Sequence, residues 1–317
     1  MRLFRAELTR LFARRFTKIM LLALVLALGL IAAVLITQTH QPDPAELQRA
    51  EERASSARAQ CEQQQEDIPG RPGQYTPNCE DITASQFLDS YALNFRDEMP
   101  VLLFLFGGLL ALFGYLVGAS FLGAEWSSGG MANLLLWRTQ RVRVLAGKLT
   151  ALLLALVMLG LTIGAAWTAA VWLIAHFGGL PAELTPKFWR SLAFDGARAL
   201  ALVVIVTAGG AAIASLGRRT AAALGLLIGY LVVWEIGAQL VMEGLNVLAP
   251  RRFMLSSYVM SVITETHKVM DYQNCWDYDC APYVFTITWP WALALLSVLA
   301  LGAVLVALWS FRRRDVA

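Results

Sequence analysis

The chain has 317 residues, of which 57% are hydrophobic and 15% are charged, and its formal net charge is +3. Soluble domains carry about 25% charged residues, so this composition excludes an ordinary soluble protein. A helix needs about 20 apolar residues to cross a bilayer, and six apolar runs are long enough. They are residues 19–36, 101–122, 149–175, 194–216, 220–244 and 287–310. The predicted fold class is therefore all-α, a polytopic membrane protein with six transmembrane helices.

Residues 1–18 precede the first span and alternate apolar and basic side chains. Leu8, Leu11 and Phe12 recur at helical spacing with arginines between them. This pattern predicts an amphipathic helix that lies in the membrane interface. The alternative is a basic flank whose only role is to set the topology of the first span.

Residues 37–100 are too polar to enter the membrane and are predicted to form a helical loop domain outside it. Pro44 opens a run of strong helix formers, which predicts a helix over residues 44–66. A Gly/Pro loop follows, and a second helix is predicted from Thr83 to Glu98. We favour a disulfide-held lid without a specific ligand. The alternatives are a cap on an exit path and a docking site for an extracytoplasmic accessory protein.

Residues 123–148 separate the second and third spans and combine leucines with arginines. Ser127 or Ser128 can cap a helix that begins after Glu125. The apolar and basic residues of this helix would occupy opposite sides. They are Met131, Leu134, Leu135, Val142 and Leu145 on one side and Arg138, Arg141 and Arg143 on the other. The segment is either a docking helix for a partner or a basic loop that only orients the protein.

The remaining spans contain few ionisable residues. Asp195, Arg198 and Glu235 fall within the fourth and fifth spans, where buried charges are functional candidates. We favour the simpler interpretation that they pair near the membrane interface. Three glycine pairs with GxxxG spacing, beginning at Gly114, Gly160 and Gly225, predict close helix packing. The connecting segments are residues 176–193, 217–219 and 245–286, with a tail at 311–317.

Basic residues predict the orientation of the bundle, because Lys and Arg near helix ends resist translocation. With both termini inside, 15 of the 26 basic residues lie in short inner segments. Only Glu7, Glu125 and Asp315 are acidic there. Both termini and residues 123–148 are therefore predicted to face the cytosol.

The four cysteines all fall on the predicted outer side, where an oxidising compartment allows disulfides. Three connectivities are possible, and we favour Cys61–Cys79 and Cys275–Cys280 because each closes a loop within one segment. The alternative is a metal site formed by Cys275, Asp277, Asp279 and Cys280, but its spacing matches no common zinc pattern.

Residues 123–148 resemble the coupling-helix segment of type-2 ATP-binding-cassette (ABC) exporter permeases. That segment carries a Glu, a Gly-Thr pair, a leucine-rich helix, an Arg-rich run and a closing Lys. The corresponding residues here are Glu125, Gly129-Gly130, Leu134 to Leu136, Arg138 to Arg143, and Lys148. Gly130 replaces the usual Thr, and Thr139 replaces a common Pro. The basic N-terminal helix, the six spans and the Arg-rich end are also similar.

This resemblance implies a permease subunit of the bacterial cytoplasmic membrane that exports a drug, peptide or lipid-like substrate. It implies two permease copies and a separate ATPase chain that binds ATP and Mg²⁺. No cofactor, metal or nucleic acid is expected for this chain. The implied ATPase contacts are Glu125, Ser127, Ser128, Met131, Leu135, Arg138, Arg141 and Arg143.

Other functions fit the sequence less well. A GxxxxGK[ST] nucleotide site is missing, so the chain has no ATPase site of its own. The three histidines, His40, His176 and His267, have no HExxH neighbours, and no GxSxG occurs, which disfavours an intramembrane enzyme. A gradient-driven transporter would need acids deep in a span, where Glu235 is the only candidate. A permease-like sensor remains an alternative.

Overall fold

The structure is a computed structural model that describes residues 2–67, 79, 82–130, 141–180, 184–271 and 283–313. Its helices are α1 (Arg2–Ala13), α2 (Arg15–Gln38), α3 (Pro44–Asp67), α4 (Phe95–Ser127), α5 (Arg141–Gly178) and α6 (Pro186–Gly217), followed by α7 (Thr220–Gly244), α8 (Leu255–Thr264) and α9 (Trp289–Arg313). Two strands, β1 (Thr266–Asp271) and β2 (Tyr283–Thr288), precede α9. Short 3₁₀ turns occur at Ala84–Phe87 and Pro250–Phe253.

Six helices are long and apolar enough to cross a membrane, as the sequence predicts. They are α2, α4, α5, α6, α7 and α9. In α4, 56% of the most apolar stretch is buried, against 6% in α7, so α4 is a central helix and α7 a peripheral one. Residues Tyr230–Ala238 in the middle of α7 have π-helical hydrogen bonding.

Helix α4 packs against α6 through small residues. A Cβ on Gly118 would lie 3.1 Å from the Thr207 carbonyl oxygen, and the Gly114 position meets the Thr207 side chain even more closely. Glycines therefore let the two backbones approach, as expected where helices pack in lipid. The pair at Gly160 and Gly164 packs in the same way against α4 and α6, whereas Gly225 and Gly229 on α7 face open space.

The two ends of the bundle differ in what they carry. We call the end formed by α1, the end of α4, the α6–α7 turn and the last turns of α9 the basal end. We call the opposite end, which carries α3 and the strands, the disulfide end. Arg14, next to α1, and Phe311, in the last turns of α9, both contact α4 at the basal end.

The disulfide domain comprises α3 and the chain that leads into α4. The Cys61–Cys79 disulfide joins its two halves, as predicted. The Glu46 carboxylate accepts hydrogen bonds from the backbone amides of Asp89 and Ser90 at 3.1 and 3.3 Å. Burial, together with a hydrogen bond donated to Glu98, raises the pKa of Tyr91 above its ordinary range.

The single helix predicted from Thr83 to Glu98 is wrong. The structure has a 3₁₀ turn at Ala84–Phe87 and extended chain before α4 begins at Phe95. Asn94 ends the extended chain, because its side-chain oxygen accepts a hydrogen bond from the Arg96 amide at 3.0 Å and so caps α4.

The prediction of an all-α chain misses one small sheet. Strands β1 and β2 pair antiparallel, with Thr266 opposite Thr288 and Asp271 opposite Tyr283. Val269 and Ile287 pack with Val262 of α8, which places the sheet over the disulfide end of α6 and α9. The predicted Cys275–Cys280 pair lies outside the described residues.

We expect the double variant Cys61→Ser/Cys79→Ser to destabilise the disulfide domain by about 3 kcal/mol, because the bond closes a loop of 18 residues and restricts the unfolded chain. Limited proteolysis of the purified protein should cut between α3 and α4 faster in this variant. Ser55→Ala on the exposed side of α3 is the control. Equal cleavage rates in all three proteins would contradict the prediction.

Candidate functional site

The segment between α4 and α5 is held directly by two spanning helices. Helix α4 ends at Ser127 and α5 begins at Arg141. Gly129 has a φ of +71°, a left-handed conformation that glycine adopts without strain, so the chain turns away from α4 there. Met131, Leu135 and Arg138, three of the predicted contact residues, lie outside the described residues.

The other predicted contact residues are placed at the two ends of this segment. The Ser127 hydroxyl donates to the Ala124 carbonyl at 3.1 Å, and the Ser128 hydroxyl donates to the Glu125 carbonyl at 3.5 Å. Both serines therefore bind the last turn of α4. Arg141 opens α5, and the Arg143 side chain, two residues further along, is exposed.

A buried lysine connects three elements at the basal end. Lys148 of α5 is 2% exposed, and its Nζ lies 2.7 Å from Glu7 Oε2 of α1 and 2.9 Å from Glu125 Oε2 of α4. The Glu7 side chain is equally buried. Glu125, the acid singled out in the sequence, is thus bonded to the Lys that closes the same segment.

Arg14 lies between α1 and α2 and completes this arrangement. Its Nη2 is 2.9 Å from Glu125 Oε1, and its Nη1 donates to the carbonyls of Ser120 and Phe121 at 3.2 and 3.0 Å. The Arg14 guanidinium lies 4.7 Å from the centre of the Phe121 ring, and the Lys148 ammonium lies 5.5 Å from it. Both distances suit cation–π attraction. We call Glu7, Arg14, Glu125 and Lys148 the basal network.

The basal network contains two carboxylates and two cations, and the more exposed Arg10 of α1 adds a third cation 3.4 Å from Glu7 Oε1. A buried ion pair gives little net stability because both charges lose their hydration, but removal of one partner leaves an uncompensated charge and costs about 3–5 kcal/mol. Separation of α1, α4 or α5 from the others would therefore leave a charge without its partner.

Aromatic contacts extend this connection to the rest of the basal end. Trp126, in the last turn of α4, meets Phe311 of α9 edge to face at 5.5 Å between ring centres. The Arg218 guanidinium, at the α6–α7 turn, lies 5.1 Å from the centre of the Trp126 ring. A Cβ on Gly123 would lie 2.5 Å from the Thr220 amide nitrogen, so α4 also touches the start of α7. The end of α4 thus contacts three helices, α5, α7 and α9, as well as the α6–α7 turn and Arg14 between α1 and α2.

The ionisable residues predicted within the spans are paired near the disulfide end. Arg198 bonds Asp195 on its own helix and lies 3.2 Å from Glu265, just after α8. Its guanidinium is 5.2 Å from the centre of the Phe194 ring. This group joins α6 to the segment between α8 and β1.

Glu235 binds the start of α8. Its carboxylate accepts hydrogen bonds from the Ser256 amide and hydroxyl at 3.0 and 2.7 Å and from the Tyr230 hydroxyl at 2.7 Å. The Tyr230 oxygen in turn accepts from the Leu255 amide at 2.9 Å. A carboxylate at a helix N-terminus satisfies free amides and favours the helix dipole.

The three histidines lie in separate contacts. The His176 ring stacks on Trp172, His40 contacts the Gln38 carbonyl, and His267 lies in β1, where burial and the charge of Arg251 lower its pKa. Within the described residues, no group of His, Cys, Asp and Glu could hold a metal ion. The basal network joins three helices through ion pairs, and its four residues do not form an arrangement typical of a nucleophile and its base.

Sequence reasoning identified Glu125 and Lys148 but missed Glu7, Arg14 and Phe121 as parts of one site. A signal for Glu7 exists, because it is the only acid in a basic helix and lies four residues before Leu11, which is also buried. An acid on the buried side of a helix indicates a buried cation as its partner.

The comparisons with known proteins gave one match. The family model described as "ABC-2 family transporter protein" matches residues 8–316, nearly the whole chain. No curated protein sequence and no solved structure matches this chain significantly.

Proposed function

Because the chain belongs to the ABC-2 family of transporter membrane proteins, as a permease subunit without an ATPase domain, we propose that it couples ATP hydrolysis in a separate ATPase chain to the export of a solute. ABC-2 permeases pair with an ATPase subunit. The proposed solute is a drug, a peptide or a lipid-like molecule, and the proposed location is the bacterial cytoplasmic membrane.

The basal network is the observation that carries this proposal. It fixes both ends of the segment between α4 and α5, through Glu125 on one side and Lys148 on the other. A partner that moves this segment would therefore move α4 and α5 together, and α1 with them through Glu7. Rigid, contiguous contacts of this kind can carry a coupling free energy between two sites.

We propose that residues 123–148 dock on the ATPase as a coupling helix. Arg138, Arg141 and Arg143 would form charge-assisted hydrogen bonds with carboxylates of the ATPase, and Met131 and Leu135 would supply apolar contacts. Glu125, Ser127 and Ser128 would set the direction in which the segment leaves α4. ATP and Mg²⁺ would bind only to the ATPase, and closure of the ATPase would shift the helices between two arrangements.

We also propose that two copies of this chain pair. The support is the unoccupied side of α7, where a Cβ on Gly225 or Gly229 would meet no atom within 4 Å. Exposed Ile228 and Val232 flank these glycines. Small residues in an apolar helix permit close approach of a second helix in lipid, which a second permease copy would provide.

The proposal requires the basal end to face the cytosol. We expect a cysteine introduced as Gln140→Cys, in a background with all four native cysteines replaced by serine, to react with a membrane-impermeant maleimide only after the cells are permeabilised. Ser85→Cys in the disulfide domain should react in intact cells and is the control. Labelling of position 140 in intact cells would overturn the orientation and the proposed mechanism.

The function itself is tested by purifying the tagged chain in mild detergent. We expect an ATPase chain to accompany it, and ATP hydrolysis by the purified pair to be measurable. A chain that never purifies with a nucleotide-binding protein in any of several detergents would contradict the proposed function.

A further inference from the structure

A cavity of about 690 Å³ lies between α4, α5 and α6, in the part of the bundle nearer the disulfide end. Its volume falls in the range of about 300–1,000 Å³ that is typical of small-molecule sites. Phe106 and Leu110 of α4 and Leu192 and Val203 of α6 form its buried floor. The site is separate from the basal network.

The cavity opens sideways, towards the surface that a bilayer would cover. Leu161, Trp172 and Trp189 stand at its opening and are 52%, 39% and 43% exposed, whereas Phe106 and Leu110 on the floor are at most 4% exposed. All of these residues belong to spanning helices. A molecule can therefore enter from the lipid without crossing water.

The lining selects an apolar occupant. Among the described residues that line the cavity, none is charged. The only hydroxyl is that of Thr168, and it already donates to the Gly164 carbonyl at 2.9 Å. A polar ligand buried here would lose its hydrogen bonds to water without gaining others, which is unfavourable. An alkyl chain has no hydrogen bonds to lose.

A polar chamber adjoins the cavity at its outer edge. This second space of about 260 Å³ is lined by Gln41 and His176 together with apolar residues, and Trp172 lines both spaces. The His176 ring stacks on Trp172 with ring centres 5.2 Å apart. An apolar cavity beside a chamber with an amide and an imidazole, with Trp172 in the wall of both, suits a molecule with an alkyl chain and a polar group.

We propose that this cavity binds one acyl chain of a membrane phospholipid from the leaflet at the disulfide end, with the phospholipid head group at Gln41 and His176. The second acyl chain stays in the bilayer beside Leu161 and Trp189. This lipid site goes beyond the proposed export function and does not depend on the ATPase.

Gly196 provides a way to fill the cavity without disturbing its walls. It lines the cavity, and a Cβ at this position would meet no heavy atom within 4 Å. Gly196→Leu therefore projects a side chain into the empty space. Gly209 lies on the same helix, has equally open surroundings and does not line the cavity, so Gly209→Leu is the matched control.

The test uses the full-length protein in nanodiscs that contain a phosphatidylglycerol with a photoreactive diazirine in the middle of one acyl chain. After illumination, mass spectrometry locates the labelled residues. We expect label on the buried floor, at Phe106, Leu110 and Leu192, which lipid at the outer surface cannot reach. Gly196→Leu should reduce floor labelling by about tenfold, because the added side chain occupies the space of several methylenes. Gly196→Ala should give a smaller reduction and Gly209→Leu none.

The outcomes separate the possibilities. Label confined to outward-facing residues such as Leu173 and Phe177 in the wild type would overturn the proposal without any variant. Floor labelling that persists undiminished in both Gly196 variants would overturn it as well. A parallel experiment with a single-chain diazirine detergent asks whether a free amphiphile binds instead. Floor label from the detergent, but not from the phospholipid, would also overturn it.

Discussion

Lys148→Met is expected to lower the free energy of unfolding by about 3–5 kcal/mol, the largest effect predicted for any single substitution in this chain. The Lys148 ammonium lies 2.7 Å from Glu7 Oε2, and Glu7 is 2% exposed. The Arg10 guanidinium also contacts Glu7, but it is 54% exposed and lies 3.4 Å from Oε1. Methionine keeps the length of the side chain but leaves the buried Glu7 carboxylate with only this weaker contact. Glu125 suffers less because Arg14 still contacts it.

Thermal unfolding of the purified protein in detergent measures this effect. Lys18→Met is the control, because Lys18 is an exposed lysine at the basal end and its loss should change stability little. Adding Glu7→Gln to Lys148→Met should recover part of the lost stability, since it removes the buried carboxylate charge that Lys148 no longer compensates. If Lys18→Met destabilised the protein as much as Lys148→Met, or if the double variant regained no stability, the Lys148–Glu7 ion pair would not have the stabilising role described here.

Arg138→Glu combined with Arg141→Glu is expected to release the ATPase from the permease. Truncation of one partner of a buried charged pair costs about 2–5 kcal/mol of binding, and charge reversal adds repulsion, so affinity should fall by roughly 30-fold or more. Co-purification of the ATPase with the tagged permease is the measurement. Thermal unfolding of the permease alone should change little, because the proposed role of both side chains is in the partner interface.

Arg219→Glu combined with Arg312→Glu is the matched control for this prediction. Arg219 and Arg312 are both exposed at the basal end. This double variant also replaces two arginines with glutamates, so the change in charge is the same, but the segment between α4 and α5 is left intact. If both double variants lose the ATPase, the effect comes from the overall charge of the basal surface and not from docking of residues 123–148. Retention by both would contradict the docking of residues 123–148.

Local composition was sufficient to predict most of the fold. The six spans follow from apolar runs, and α3 follows from Pro44 and the helix formers after it, so the structure agrees closely with both predictions. The Cys61–Cys79 disulfide could be predicted because both cysteines lie in one polar segment. These features depend on residues that are near one another in the sequence.

Two errors in the fold arise from contacts between segments that are separate in the sequence. The helix predicted from Thr83 to Glu98 does not form as one piece, because Glu46 binds the amides of Asp89 and Ser90 and keeps that stretch out of a helical conformation. The sheet was missed although β2 contains the β-branched residues Val284, Thr286 and Ile287. Such a short strand becomes stable only when its partner and the α8–α9 surface cover one face.

The candidate site could be predicted only in part, because its contacts join residues distant in the sequence. Lys148 and Glu7 are 141 residues apart, and Arg14 and Glu125 are 111 apart. Charge and helical periodicity identify each residue as unusual, but neither property specifies which acid meets which base. The cavity beside Gly196 likewise depends on the spacing of three helices, to which a single sequence gives no access.

The separation of Glu7 from Lys148 has a consequence for how the protein is made. Ribosomes add about 5–20 residues per second, so Lys148 is synthesised on the order of 10–30 s after Glu7. During that interval the Glu7 carboxylate can pair with Arg10 on its own helix but not with Lys148. Helix α1 therefore cannot complete its contacts with the bundle until α5 has been synthesised. A segment made early in the chain is thus among the last to complete its contacts.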